Sequence, residues 1–298
     1  MNFEKVFKTL VDETKDYVWR NGLKSMVLGI SGGIDSTIVA AVCKEVSKDT
    51  GIPFIGRSLP NRTNKQEEKT TAEMVGIAFC DDFNTVPIEE WYTKLSDDFY
   101  SVEGMQSKIA EGNIQARLRM IYLYNLASLR GGLVLSTDNA TEWNLGFWTL
   151  HGDVGDFNPL FGLWKTEVYG LAKWLVERYK TLGDNAKAIA ISTSARLVPT
   201  DGLGISSSDL EQIGASSYEE VDTILQSFIL WRKIISNPTL GDPGLIENKT
   251  WSEIIDTYTK LPGHITNETE KKILERHLKS EFKRKNLPVV IERKRDWN

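Results

Sequence analysis

Residues 24–47 read KSMVLGISGGIDSTIVAAVCKEVS, and this stretch decides the fold. The apolar run that ends at Ile30 predicts a short buried strand, and the apolar residues that follow the turn predict a helix. The turn contains Gly32 and Gly33, whose backbone N–H groups can approach a ligand without interference from a Cβ atom. Because a helix N-terminus also supplies free N–H donors and positive dipole, we predict an anion-binding loop at residues 29–36.

The same loop contains an acid, Asp35, and no Gly-Lys-Ser/Thr sequence follows it as in a Walker A loop. A carboxylate beside a phosphate is repulsive unless a cation lies between them, so Asp35 predicts bound Mg²⁺. The alternative interpretation is a glycine-rich turn in which Asp35 only caps the helix. The combination of strand, glycines, acid and helix favours the ligand-binding interpretation.

The rest of the chain alternates between strand and helix patterns. Further strands are predicted at 52–59, 77–83 and 133–135, and helices at 3–18, 65–76, 88–99, 113–129 and 166–179. This alternation predicts an α/β fold, a Rossmann-like parallel sheet with helices on both faces. Ser, Gly and Thr dominate residues 192–217, which predicts a loop, and the chain beyond it has helical patterns interrupted by prolines.

Composition limits the class of protein. The formal net charge of -5 argues against a general nucleic-acid binder. The two cysteines, Cys43 and Cys80, form no C-x-x-C pair, and the three histidines lack zinc-ligand spacing. The first twenty residues are charged throughout, unlike a signal peptide, and no apolar run approaches membrane-spanning length. We therefore expect a cytoplasmic protein.

The loop Ser-Gly-Gly-Ile-Asp-Ser at 31–36 resembles the signature of N-type ATP pyrophosphatases, which cleave ATP between its α and β phosphates. Three further segments resemble the ammonia-dependent NAD synthetase family within that group. They are GNIQARLRM at 112–120, VLSTDNATE at 134–142 and GFWTLHGDVGDFNPL at 146–160. The resemblance covers about residues 20–225 plus a short C-terminal piece, and it implies the adenine nucleotide alpha-hydrolase-like form of the fold.

The resemblance also implies roles for individual residues. The implied ATP site consists of Gly29, Ile30, Ser31, Gly32, Gly33, Ile34, Asp35, Ser36, Thr137, Lys165 and Ser194. Arg117, Asp156 and Lys283 would bind the acceptor nucleotide. Asp35 and Glu142 would hold magnesium, and Asp35 and Lys165 would be catalytic. A lysine suits that place because its charge can hold the leaving pyrophosphate.

The implied reaction is an amidation that consumes ATP. The nicotinate carboxylate of deamido-NAD would attack the α-phosphorus, and ammonia would then displace AMP to give NAD. We expect ammonia, not glutamine, as the direct nitrogen source, since little chain precedes the loop and no Cys–His nucleophile pair follows it. Residues 1–298 would form one such domain, with a helical extension from about residue 225, and the family implies a homodimer.

Departures from the family pattern concentrate at the acceptor end. Leu150 stands where the family has a substrate-binding lysine, Phe282 replaces a histidine, and Ser194 replaces a threonine but keeps the hydroxyl. We therefore expect ATP recognition to be intact. Contact with the dinucleotide should be weaker, or a related carboxylate should be preferred.

Two other functions stay open. A tRNA-modifying enzyme could use the same loop, and the basic residues near the C-terminus (Lys279, Lys283, Arg284, Lys285 and Arg293 to Arg295) support it. The acidic overall charge and the absence of a cysteine pair argue against it. A non-catalytic nucleotide sensor is the other alternative, and the presence of Glu142 and Lys165 argues against that.

Overall fold

Four parallel strands form the sheet of this protein, in the order β3-β2-β1-β4. The computed structural model describes residues 1–104, 107–199, 208–261, 264 and 267–284. The strands are β1 (Met26–Gly29), β2 (Phe54–Ser58), β3 (Asp82–Thr85) and β4 (Leu133–Val134). The helices are α1 (Phe3–Arg20), α2 (Ile34–Thr50), α3 (Gln66–Phe79), α4 (Glu89–Glu103), α5 (Lys108–Arg130), α6 (Ala140–Leu145), α7 (Lys165–Thr181), α8 (Asn185–Ser194), α9 (Asp209–Ile213), α10 (Tyr218–Ile235), α11 (Trp251–Thr259) and α12 (Glu268–Lys279), with 3-10 turns at Pro243–Leu245 and Glu281–Arg284.

The side chains of β1 alternate between two apolar layers, as the period of a strand requires. Met26 and Leu28 pack into the larger layer with α1, α2, α3, α7 and α8. Val27 packs into the smaller layer on the other face, with Leu123 and Ala127 of α5. Helices thus cover both faces of a parallel sheet, and the predicted fold class is confirmed.

The order of the strands reverses at β1. The chain builds β2 and β3 on one side of β1 and then returns to place β4 on the other side. In such sheets a crevice opens at the carboxyl ends of the two strands where the order reverses. The loop at 31–36 follows β1 and the segment 135–142 follows β4, so both motifs lie at this crevice.

A lobe of helices, residues 218–284, packs against the sheet domain through α6 and α7. Inside it, Phe228, Tyr258 and Leu274 form a core shared by α10, α11 and α12. A second cluster joins Leu145 of α6 to Val221 of α10. We call the described residues between 218 and 284 the helical lobe. Among the described helices, none has the length and apolar composition needed to cross a bilayer.

Three local predictions differ from the structure. The strand predicted at 77–83 begins only at Asp82, because α3 continues to Phe79 and buries that ring on its inner face. The helical spacing of residues 113–129 predicts that Ile121 points inward, but Ile121 is 65% exposed and Leu123 of the same helix is buried instead. The loop predicted at 192–217 contains the end of α8 and all of α9, while residues 200–207 lie outside the described part of the chain.

Candidate active site

The loop after β1 is fixed by its glycines and hydroxyls. Gly32 has φ +86°, and a Cβ atom there would lie 2.6 Å from the carbonyl oxygen of Glu68, so the position requires glycine. Ser31 Oγ accepts the N–H of Gly33 at 3.1 Å, and Ser36 Oγ donates to the carbonyl of Gly33 at 3.0 Å. These bonds hold the loop at the N-terminus of α2, where N–H groups can receive an anion.

Ser194 supports this loop from behind. Its hydroxyl is buried and donates to the carbonyl of Gly32 at 2.6 Å. It also lies 2.8 Å from Thr37 Oγ1, which donates to the carbonyl of Gly33. The structure therefore shows Ser194 positioning the loop, and its contact with ATP stays a prediction.

Lys165 lies between two carboxylates at the bottom of the crevice. Its Nζ donates to Asp35 Oδ2 at 2.5 Å and to Glu142 Oε1 at 2.8 Å, and its side chain is 2% exposed. Burial by itself would lower the pKa of Lys165, but Asp35 and Glu142 outweigh burial and raise it, so the ammonium form is held. Burial, followed by the charge of Asp35, raises the pKa of Glu142. Two acids that are partly exposed to the cavity thus share one buried cation.

Asn139 connects the two acids, and the sequence analysis did not single it out. Its side-chain N–H group donates to Asp35 Oδ1 at 2.9 Å, and its side-chain oxygen accepts the N–H of Glu142 at 3.0 Å. Glu142 accepts the N–H of Asn139 in return, which completes a capping box for α6. The sequence signal was available, since Asn-x-x-Glu before a helix is the pattern of such a box.

Asp138 and Glu142 are four residues apart, a spacing that predicts two acids on one helix face. The structure differs, because Asp138 lies before the N-cap of α6 and so is not on that helix. Its Oδ2 accepts a hydrogen bond from Ser136 Oγ at 2.6 Å. Burial raises the pKa of Asp138 to about 7, and the charge of Asp153 adds to this rise. Asp138 therefore adds a third acidic group to the wall of the crevice.

The helical lobe positions Lys165 through Asp222 of α10. Asp222 accepts hydrogen bonds from Thr141 Oγ1 at 2.5 Å and from the backbone N–H of Thr166 at 3.0 Å. Thr141 Oγ1 accepts the N–H of Lys165 at 2.8 Å. One buried carboxylate therefore joins the first turns of α6 and α7, and it fixes the backbone from which Lys165 extends.

A cavity of 680 Å³ opens over this centre, between the sheet edge, α5 and the helical lobe. The predicted site residues in its wall are Gly29, Ile30, Ser31, Gly33, Ile34, Asp35, Ser36, Thr137, Glu142, Lys165 and Lys283. The structure thus brings together eleven of the residues that the resemblance singled out. Gly32 is part of the loop but does not line the cavity, Ser194 lies behind the loop, and Arg117 and Asp156 lie outside this wall.

Arg117 and Asp156 lie on the exposed side of α5 and β4. Arg117 Nη2 donates to the carbonyl of Leu150 at 3.1 Å. Asp156 accepts hydrogen bonds from the Tyr124 hydroxyl at 3.0 Å and from the N–H of Val134 at 2.9 Å. Their contact with the acceptor nucleotide stays a prediction.

Two arginines line the cavity near the end of β2, of which Arg57 is buried and Arg119 is half-buried. Arg119 Nε donates to the carbonyl of Leu59 at 3.0 Å, and burial lowers the pKa of Arg119. Arg57 forms a two-point ion pair with Asp82, at 2.9 and 3.1 Å. Both side chains are already bonded within the protein, which suits them to shape the wall.

Cationic and aromatic side chains meet at the end of the cavity away from the loop. The guanidinium of Arg276, from α12, lies 3.8 Å from the ring centroid of Phe147. Lys283 Nζ donates to the carbonyls of Gly146 and Trp148. Sequence reasoning missed Arg276, because α12 lies outside the segments that carry the family resemblance.

Residues 6–287 match the model of the NAD synthase family. The NH(3)-dependent NAD(+) synthetase of Finegoldia magna is 32% identical over 228 residues, which cover 76% of this chain and 86% of the relative. The enzyme of the same name from Helicobacter pylori is 30% identical over 250 residues, 83% of this chain and 88% of the relative.

Solved structures show the same fold. The NMN synthetase of Francisella tularensis superposes with a TM-score of 0.72 at 24% identity, over 97% of this chain and 99% of that chain. The NH3-dependent NAD synthetase of Campylobacter jejuni has a TM-score of 0.64 at 23% identity, over 98% and 100% of the two chains.

Proposed function

This chain belongs to the NAD synthase family, and we propose that its cavity carries out ammonia-dependent NAD synthesis, the amidation of deamido-NAD driven by ATP. The observation that carries the proposal is the convergence of Lys165, Asp35 and Glu142 on the open side of the glycine loop. A loop of N–H donors beside a buried ammonium suits a triphosphate at one end of the cavity. The remaining volume leaves room for the acceptor.

The chain's own residues would bind, orient and stabilise charge. The N–H groups around Gly33 would hold the phosphates, and the Lys165 ammonium would stabilise the negative charge that develops on the leaving pyrophosphate. The acceptor carboxylate attacks the α-phosphorus directly, so no side chain needs to become a covalent intermediate. Catalysis then rests on positioning and charge.

Asp35 and Glu142 fit a magnesium ion. Both are carboxylates, the hard oxygen ligands that Mg²⁺ prefers, and together with Lys165 they leave one excess negative charge. Within the described ranges, no group of three or more His, Cys, Asp or Glu side chains has the arrangement of a metal site. Phosphate oxygens and waters would therefore complete the coordination, as is usual for Mg²⁺. When bound, the ion supplies neutralising charge to the phosphates.

A second candidate is the same amidation with nicotinate mononucleotide as the acceptor. Leu150 and Phe282 stand where the family has a lysine and a histidine, so the acceptor end has changed while the ATP end has not. The Francisella protein that shares the fold over almost the whole chain is called an NMN synthetase. Both acceptors present the same carboxylate to ATP, so the ATP end of the site would be unchanged.

We also propose a homodimer that associates through α4 and α5. Large apolar side chains are exposed along these helices: Trp91, Leu95, Phe99, Val102, Ile121 and Leu129. Exposed large apolar side chains that recur along two packed helices favour an interface with another protein surface. Sedimentation of the wild type and of an Ile121→Asp variant tests the proposed homodimer. A charge in the interface should yield monomers, so a variant that sediments as the wild type contradicts the proposal.

Product analysis tests the proposed reaction. The purified chain is incubated with ATP, Mg²⁺, ammonium and one acceptor at a time, and products are identified by mass spectrometry. NAD with AMP from deamido-NAD supports the first proposal, and NMN without NAD supports the second. Consumption of neither acceptor overturns both.

A further inference from the structure

Two cationic side chains, Arg276 and Lys283, line the cavity at the end away from the loop, beside the ring of Trp148. We call them the donor patch. Trp148 is 7% exposed, and its Nε1 is buried without a hydrogen-bond partner. Its ring is held in place by a parallel stack on Trp143, with centroids 4.7 Å apart and an interplanar angle of 5°.

The two cations of the donor patch differ from Lys165 in their partners. Among the described residues, no carboxylate lies within ion-pair distance of Arg276 or Lys283, and both side chains donate hydrogen bonds to backbone carbonyls. Arg276 uses Nε to bind the carbonyl of Leu145 at 3.1 Å, which leaves the two terminal nitrogens of its fork. Burial lowers the pKa of Arg276 and of Lys283, and the negative charges of Asp209 and Asp153 act in the opposite direction on Arg276 and Lys283, respectively.

The helical lobe fixes the direction of Arg276. The guanidinium stacks on Phe147 at 3.8 Å from the ring centroid, which pre-orders the fork over the cavity. Its neighbours on α12, Ile273 and His277, are buried in the lobe, so the helix cannot roll away from the cavity. A pre-ordered guanidinium with free terminal nitrogens matches the two-point geometry of a phosphate.

We infer that Arg276 binds the phosphate on the nicotinate-bearing ribose of the acceptor and is a specificity-determining residue, beside Lys283, whose acceptor contact the family resemblance already implies. This inference rests on the proposed function. ATP phosphates belong at the loop, where Lys165 lies, and the acceptor's phosphate is the other anion that the reaction brings into the cavity. Arg276 supplies from the helical lobe a positive charge at an acceptor end where Leu150 and Phe282 provide none.

The decisive variant is Arg276→Gln, with Lys271→Gln as its matched control. Lys271 lies on the same helix but outside both cavity walls, and it carries the same charge. Because a hydrogen bond to a charged group contributes about 1.5–3 kcal/mol, the KM for the acceptor should rise roughly 10–150-fold in Arg276→Gln. The KM for ATP should stay unchanged. Arg276→Lys, which keeps the charge but loses the fork, should fall in between.

Nicotinate riboside, which lacks the phosphate, isolates the contact. The wild type should bind nicotinate mononucleotide more tightly than the riboside, as measured by calorimetry and by tryptophan fluorescence at the Trp143–Trp148 stack. In Arg276→Gln this preference should largely disappear, while affinity for the riboside is unchanged. Equal loss of affinity for both ligands would mean that Arg276 has only a structural role, and an unchanged preference would also overturn the inference.

The two acceptors distinguish the source of the phosphate. The terminal phosphate of nicotinate mononucleotide is a monoester and carries more charge than the corresponding phosphate of deamido-NAD, which is half of a diphosphate bridge. A larger effect of Arg276→Gln on nicotinate mononucleotide than on deamido-NAD therefore identifies the mononucleotide as the ligand of the patch. The reverse order identifies the dinucleotide. If the wild type amidates neither acceptor, the proposed function fails; if it amidates one and Arg276→Gln keeps the wild-type KM for it, only the present inference fails.

Discussion

At the loop end of the cavity, Lys165 lies between Asp35 and Glu142 at 2.5 and 2.8 Å, whereas at the far end Arg276 and Lys283 donate to backbone carbonyls. The first end is short of positive charge and the second is rich in it. An end that holds two acids and one cation suits ATP with magnesium, and an end of donors suits the anionic acceptor. The difference teaches that one cavity can hold two anionic substrates at separate ends. ATP would bring Mg²⁺ as a positive charge to the acidic end, and the acceptor would bring its negative charge to the end with the donors.

The largest expected effect comes from removing the cation of the loop end. Lys165→Ala should slow AMP formation roughly 10²–10³-fold, the cost of losing one preorganised charge at the leaving group. Binding of the acceptor should be retained, because the donor patch is untouched. Single-turnover assays measure the AMP, and Lys173→Ala, an exposed lysine on the same helix, is the control. AMP formation at the wild-type rate would remove Lys165 from the reaction.

The acids of the loop end should set the magnesium requirement. Asp35→Asn and Glu142→Gln should each raise the Mg²⁺ concentration for half-maximal activity about tenfold, and the double variant should be less than additive because both serve one centre. The double variant also leaves the Lys165 ammonium buried without an acid, which costs about 3–5 kcal/mol of stability. Magnesium titrations and thermal unfolding measure both. Full additivity in the titrations would place the acids at separate centres.

Asp222 tests whether the helical lobe contributes to the loop end. Asp222→Asn places a donor against Thr141 and Thr166, so the backbone of Lys165 should shift, and kcat should fall roughly tenfold since small misplacements are costly. KM for either substrate should change little. Glu219→Gln, an exposed acid on the same helix, is the control. A change in KM with an unchanged kcat would contradict this role.

The smallest effect is expected at the positions that depart from the family. In a Leu150→Lys, Phe282→His double variant, the KM for deamido-NAD should fall several-fold, about 1 kcal/mol, while the KM for ATP stays constant. The gain is small because Phe282 is 55% exposed, so water screens the new charge. Steady-state kinetics with both substrates measure it. An unchanged KM for deamido-NAD counts against these positions as the cause of weak acceptor binding.

Much of the fold could be predicted because its signals are local. The β1–loop–α2 unit has an apolar run, two glycines and an apolar helix face within 24 residues, and the structure places each element there. Errors arose where an apolar run fits two structures. Residues 77–79 have the composition of a strand, but tertiary packing keeps them in α3, with Phe79 inside and Ile77 exposed.

The candidate site divides in the same way. Asp35, Glu142 and Lys165 were found from motifs. Although they are far apart in the sequence, Lys165 Nζ lies 2.5 Å from Asp35 Oδ2 and 2.8 Å from Glu142 Oε1. Asp222 and Arg276 were not assigned roles, because nothing in their own segments shows that the helical lobe folds back onto the sheet edge. Long-range contacts of this kind have no local pattern, so only the structure could bring these residues to the cavity.

ATP–pyrophosphate exchange tests the central claim most directly, because it reports acyl-adenylate formation without the ammonia step. The purified chain, ATP, Mg²⁺ and labelled pyrophosphate are incubated without ammonium, either with or without deamido-NAD or nicotinate mononucleotide. We predict that label enters ATP only when one of the two nicotinate acceptors is present, and that Lys165→Ala abolishes this exchange. Exchange at the same rate without an acceptor, or none with either acceptor, would contradict an adenylating enzyme that uses the two ends of this cavity for two substrates.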